Sequence, residues 1–192
     1  EIIQTNKKGS MQFQTAFHLL KQAKMAYDQW KWYVEESINP TRYSRISRLL
    51  VESVLEGAVP NYNIPPQARH LFASAITPKG VVDYKETLIE KDMKVYTIKG
   101  QPGTGVKQLI GEVAKAAQSI GLNTEQFHCP IEPDKLDLLD MLIIPAMRIA
   151  IVNNSPPYHF DPNKLEEVNV SEEIDLNHCI QKDILKEYEE ER

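Results

Sequence analysis

The strongest constraint on how this chain can fold is a nine-residue run, Gly100-Gln101-Pro102-Gly103-Thr104-Gly105-Val106-Lys107-Gln108, set between a strand-like and a helix-like segment. Before it, Val95-Tyr96-Thr97-Ile98 is a short run of good β-formers. After it, Val106, Leu109, Ile110, Val113, Ala117 and Ile120 recur at helical spacing until Gly121. Gly103 and Gly105 permit conformations and close approaches that a side chain would block, and Pro102 stiffens the turn. A second strand-like segment, Asn123 to His128, completes a strand-loop-helix-strand unit. Right-handed crossover geometry makes its two strands parallel, so the expected fold class is α/β.

A strand, a glycine-rich turn and a helix in this order match the phosphate loop of P-loop proteins, G-x-x-x-x-G-K-[ST]. There, main-chain N–H groups and the positive end of the helix surround a phosphate. Gly100, Gly103, Thr104, Gly105, Val106 and Lys107 are therefore the candidate phosphate-binding residues. The pattern is degenerate: aligned on Gly100 and Gly105, Val106 stands where the lysine belongs and Lys107 where the Mg²⁺-ligating Ser or Thr belongs. Valine brings no charge to a β- or γ-phosphate, and an ammonium cannot ligate a cation. Lys107 lies about 100° further round the helix, so it reads as a surface lysine, with compensation through its flexible stem as the alternative. The metal-holding acid should follow an apolar strand, yet Ile149-Ala150-Ile151-Val152 is followed by Asn153-Asn154, which lack the charge that attracts Mg²⁺. Asp140 precedes its apolar run, while Asp134, Asp137 and Asp161 fall in loops, and all four read as turn residues. Asn153 and His159 are the candidates for the γ-phosphate side, and no metal ligand is expected.

Upstream, Phe13, Ala16, Leu20, Ala23, Tyr27, Trp30 and Val34 share one face of a long helix. Pro40 opens a second helix with Tyr43, Ile46, Leu50 and Val54, capped at Gly57. The expectation is an antiparallel helical hairpin over residues 1–57, then a three-layer α/β/α domain with a mostly parallel sheet over 58–192. The aromatic stripe Phe13, Phe17, Tyr27 and Trp30 is expected to be packed. One strand is expected from Leu71 to Ile76, two buried strands at 142–144 and 148–152, and a terminal helix with Ile180, Ile184 and Tyr188 on one face.

At 192 residues, 42% apolar and 26% charged, the chain suffices for one well-buried core with a helical appendage. No stretch approaches the roughly 18 apolar residues of a membrane helix, so no membrane partner is expected. No segment reads as a signal peptide, and two cysteines, Cys129 and Cys179, make no disulfide framework, so a cytoplasmic setting is expected. The net charge of -5 gathers beyond residue 149, where 4 basic side chains face 11 acidic ones, and offers no basic face to nucleic acid. His128-Cys129, His159 and His178-Cys179 contain metal-ligand types without metal-ligand spacing. The opening Glu1-Ile2-Ile3-Gln4 reads like the middle of a helix, as in a fragment of something longer.

Several runs together resemble a known family. Arg69-His70-Leu71-Phe72, Thr77-Pro78-Lys79-Gly80, Val95 to Gly105, Phe127-His128-Cys129-Pro130, Leu142-Ile143-Ile144-Pro145 and Asn153 to His159 are similar to the uncharacterised tandem P-loop ATPase-like proteins of Firmicutes bacteria. Asp28-Gln29-Trp30-Lys31 resembles the segment joining their two halves. The resemblance spans nearly the whole chain and implies a linker plus the second P-loop half, with the first half of the same polypeptide as partner and ATP as ligand. Members carry G-x-P-G-T-G-K-[ST], so Val106 and Lys107 depart from the pattern where phosphate is gripped. The leading expectation is a degenerate nucleotide-binding domain with weak or no hydrolysis, holding ATP weakly and without a Mg²⁺ anchor. The alternatives are an ATPase using Lys107 in place of the usual lysine, and a nucleotide-independent scaffold that self-associates through helices within 13–56.

Overall fold

The apolar runs at 95–98, 141–144 and 149–152 are too continuous to face water on either side, and they pair with one another in the middle of a six-stranded sheet. The structure is a computed structural model that describes residues 2–132, 135–156, 160–161 and 169–190. Its strands are β1 (Ala68–Leu71), β2 (Ser74–Thr77), β3 (Gly80–Asp83), β4 (Lys94–Lys99), β5 (Thr124–His128), β6 (Leu139–Ile144), β7 (Ile149–Asn153) and β8 (Asn169–Asp175). The helices are α1 (Ile2–Glu36), α2 (Pro40–Val54), α3 (Val106–Ser119) and α4 (Lys182–Glu190).

The sheet order is β1-β5-β6-β7-β4-β8, and β2 and β3 form a separate hairpin. β4 runs parallel to β7 and β8, and β1 parallel to β5, while β6 is antiparallel to both its neighbours. The sheet is thus mostly parallel, with β6 alone reversed. The reversal follows from the short connection between β6 and β7, a 3-10 turn at Pro145–Met147 closed by Arg148 at φ 51°. So short a link permits a hairpin but no parallel crossover. The expected β4-α3-β5 unit is present, its two strands pointing the same way with β7 and β6 between them.

Pleat alternation sends Tyr96, Ile98, Leu142, Ile144 and Ile151 to one face, where they pack with Leu109, Ile110 and Val113 of α3 and Leu50 and Val54 of α2. Val95, Met141, Ile143, Ala150 and Val152 face the other way, against Ala73, Ile89, Met93 and Phe160. The expected helical hairpin is not formed. α2 lies on α3 as part of the main core, Tyr43 and Ser47 reaching Glu112, while the end of α1 turns to α4, where Tyr33 stacks on Tyr188 at 5.6 Å. A shared helix face shows which residues could be covered together and says nothing about which neighbour covers them. For the same reason the aromatic stripe is not uniformly packed: Phe13 and Phe17 are 69% and 66% exposed, whereas Tyr27 and Trp30 are half-buried. The single strand expected from Leu71 to Ile76 is two, β1 and β2, and Ile180, expected on the terminal helix, precedes α4 and bridges to Ile38.

Gly111, inside α3, is a point of close approach: a Cβ there would lie 2.2 Å from the carbonyl oxygen of Asp137, backbone that cannot swing away. Helix propensity alone would make Gly111→Ala stabilising by up to about 1 kcal/mol. The contact reverses the sign, and denaturant unfolding of Gly111→Ala is expected to show a loss of about 1–3 kcal/mol.

Candidate functional site

In open α/β sheets, ligands sit outside the carboxyl ends of the parallel strands. Here that edge gathers the loop after β4, the end of β7 and, because β6 is reversed, the beginning of β6. Gly105 stands at the N-cap of α3 with φ 90° and no side-chain cap, so the first N–H groups of the helix have no intrahelical acceptor. Gly103 takes φ 95°. The rest of the loop is fastened to the protein. Gly100 N–H donates to Ser155 Oγ at 3.1 Å, Gln101 N–H to Asn177 Oδ1 at 2.9 Å, and buried Thr104 turns its hydroxyl onto Gln101 O at 2.8 Å. Val106, aligned by sequence with a P-loop's lysine, is 6% exposed and packs in the main core.

α1 lies directly on this loop. A Cβ added at Gly103 would stand 2.3 Å from Lys31 O and 2.9 Å from Val34 Cβ, and one at Gly105 would meet the Tyr43 ring at 2.6 Å. About 40 Å³ of free space remains, bordered by the loop, Tyr27, Lys31, Lys107, Glu132 and Asn153. That is room for a few water molecules. A larger cleft of about 470 Å³ opens at the opposite edge of the sheet, around Val59, Asn61, Arg69 and Asn123.

Lys107 is not the surface lysine its helix position suggested. Its side chain is 14% exposed, its Nζ donates to Cys129 Sγ at 2.9 Å and to Glu132 Oε2 at 3.3 Å, and it lies 5.9 Å from the centre of the Tyr27 ring. Burial alone would lower its pKa, but the negative charge of Asp140 and the Cys129 and Tyr27 groups outweigh it and hold the ammonium well above the usual lysine value. Cys129 is fully buried, and burial with the Asp140 charge pushes its pKa up despite Lys107. Glu132, 1% exposed, is met by Lys135 at 2.9 Å, Lys107 at 3.3 Å, Lys31 at 3.4 Å and Lys24 at 3.9 Å. Burial works to raise its pKa, and Lys135, Lys107 and Lys31 reverse that and hold it at about 2.

Asp140 also departs from its expected setting. It is no turn residue: it lies in β6, 1% exposed, with Oδ1 accepting from Asn153 Nδ2 at 2.8 Å and Oδ2 without a hydrogen-bond partner. Preceding the apolar run puts an acid at the carboxyl edge when the strand is reversed. Asn153 borders the free space, but its amide is already engaged, Nδ2 with Asp140 and Oδ1 with Ser155 N–H at 3.0 Å. Asp137 is a turn residue as expected, and His159 and Asp134 lie outside the described residues. Beside Cys129, His128 Nε2 meets His70 Nδ1 at 2.8 Å, and burial and His70 lower its pKa.

Sequence reasoning missed Lys31, Glu132 and the setting of Asp140. For Asp140 a signal existed in the short Pro145-Ala146-Met147-Arg148 link between two apolar runs. For Lys31 and Glu132, 101 positions apart, there was none. No family model matches this chain, and no curated protein or solved structure gives a significant match. Among the described residues no helix is long and apolar enough to cross a membrane.

The depressed Glu132 pKa means stability that is fully present above pH 4.5 and lost as the pH falls toward about 2. Glu132→Gln is expected to destabilise the protein by about 3 kcal/mol at neutral pH, at about 1.4 kcal/mol per pH unit. The difference from wild type should shrink steadily below pH 4.5 in denaturant titrations run across the acid range.

Proposed function

We propose that the chain is a degenerate P-loop domain that holds a phosphate-bearing ligand such as ATP weakly and hydrolyses it slowly or not at all. The observation that carries this reading is the start of α3: uncapped N–H groups and left-handed Gly103 and Gly105 open onto a small space bordered by two lysines, Lys31 and Lys107. A helix start with backbone amides and nearby cations favours an anion. Val106 is turned into the core and Lys107 is anchored to Glu132, so neither residue follows charge as it develops on a leaving phosphate. By resemblance, catalysis would belong to a first P-loop half of the same polypeptide.

The position of α1 favours a second reading, a nucleotide-independent scaffold. Its backbone at Lys31 rests on Gly103, so a triphosphate would have to displace it. Calorimetric titration with ATP, paired with a phosphate-release assay, separates the readings. Weak binding, with a Kd on the order of 0.1–1 mM, and no turnover above background is the expected result. Micromolar binding with turnover would establish an ATPase, and absence of heat at millimolar ATP would leave the scaffold.

A further inference from the structure

A buried carboxylate oxygen that accepts no hydrogen bond is costly, and nearby positive charge offsets that cost. Asp140 Oδ2 is such an atom: the side chain is 1% exposed, Oδ1 is tied to Asn153, and Oδ2 has no partner. The Lys107 ammonium, which feels the Asp140 charge, is itself held by Cys129 Sγ at 2.9 Å and Glu132 Oε2 at 3.3 Å. Lys107 is the second residue of α3, where G-x-x-x-x-G-K-[ST] has its metal-ligating hydroxyl. Asp140 lies at the strand edge beside Asn153, where an acid would complete a metal's coordination. Of the two positions that would hold a divalent ion here, one keeps an acid and the other carries a lysine, whose ammonium borders the free space.

Resting on the phosphate-binding reading above, we propose that Lys107 is a tethered cation that replaces the divalent metal, so that the site takes a phosphate or diphosphate group as the free anion, without Mg²⁺. The other groups around the ammonium agree. Glu132 and Asp140 neutralise part of the charge, but Lys31 and Lys135 share Glu132 with Lys107 and Lys24 stands 3.9 Å from it, a setting that repels an incoming dication. A phosphate oxygen reaching the free space would meet the Lys107 and Lys31 ammoniums beside the helix N–H groups.

Inorganic pyrophosphate is the probe, titrated into the whole chain by calorimetry in excess EDTA and again in excess Mg²⁺. The expected result is binding in EDTA that Mg²⁺ does not strengthen. In EDTA, Lys107→Met should weaken it at least about tenfold, the loss of one charge-assisted contact, while Lys107→Arg stays within about threefold. Binding by wild type only when Mg²⁺ is present overturns the proposal and leaves the phosphate-binding reading standing, as does equal binding by wild type and Lys107→Met in EDTA. Absence of binding in both buffers overturns the proposal together with that reading. The wild-type comparison requires no variant, so the test holds even where Lys107→Met fails to fold, which circular dichroism would reveal.

Discussion

A carboxylate leaves water only in the company of cations, and Glu132 has left it almost completely, taking lysines from three parts of the chain with it. Lys24 and Lys31 come from α1, Lys107 from α3 and Lys135 from its own loop. This cluster draws the long first helix onto the glycine loop rather than along α2. Gly103 has no side chain because the Lys31 carbonyl and Val34 occupy that volume, and the small size of the remaining space is the direct result. Charge pairing thus determines how much of the glycine-rich loop stays open.

The second organising element is the reversed strand. β6 must run backward because four residues cannot carry the chain back across the sheet for a parallel pairing with β7. Its first residues therefore join the last residues of β4 and β7 at one edge. Asp140 reaches Asn153 there, and its charge acts on Lys107. The same acid on a strand of ordinary direction would lie at the far edge, remote from the loop. A loop that reads as poor in charged groups along the chain is, in space, crowded with them: Val106 and Asn153 bring no charge, but Lys107 and the buried Glu132 and Asp140 stand in the neighbourhood.

Local pattern alone was sufficient for the α/β class, the β4-α3-β5 unit, the loop at 100–105 and the apolar strands, because each depends on residues within a few positions of one another. The same residues already showed that Val106 and Lys107 could not perform the ordinary tasks of their positions. What tertiary structure decided was everything that depends on which faces meet. Phe13 and Phe17 share a stripe with Tyr27 and Trp30, yet only the latter find neighbours. Lys107 is largely buried because Cys129 and Glu132, more than twenty residues away, come beneath it, and Asp140 reaches the carboxyl edge only because its strand is reversed. Side-chain periodicity and backbone propensity act over a turn or a pleat, whereas ion pairing and burial act between elements whose separation along the chain carries no information about their distance in the fold.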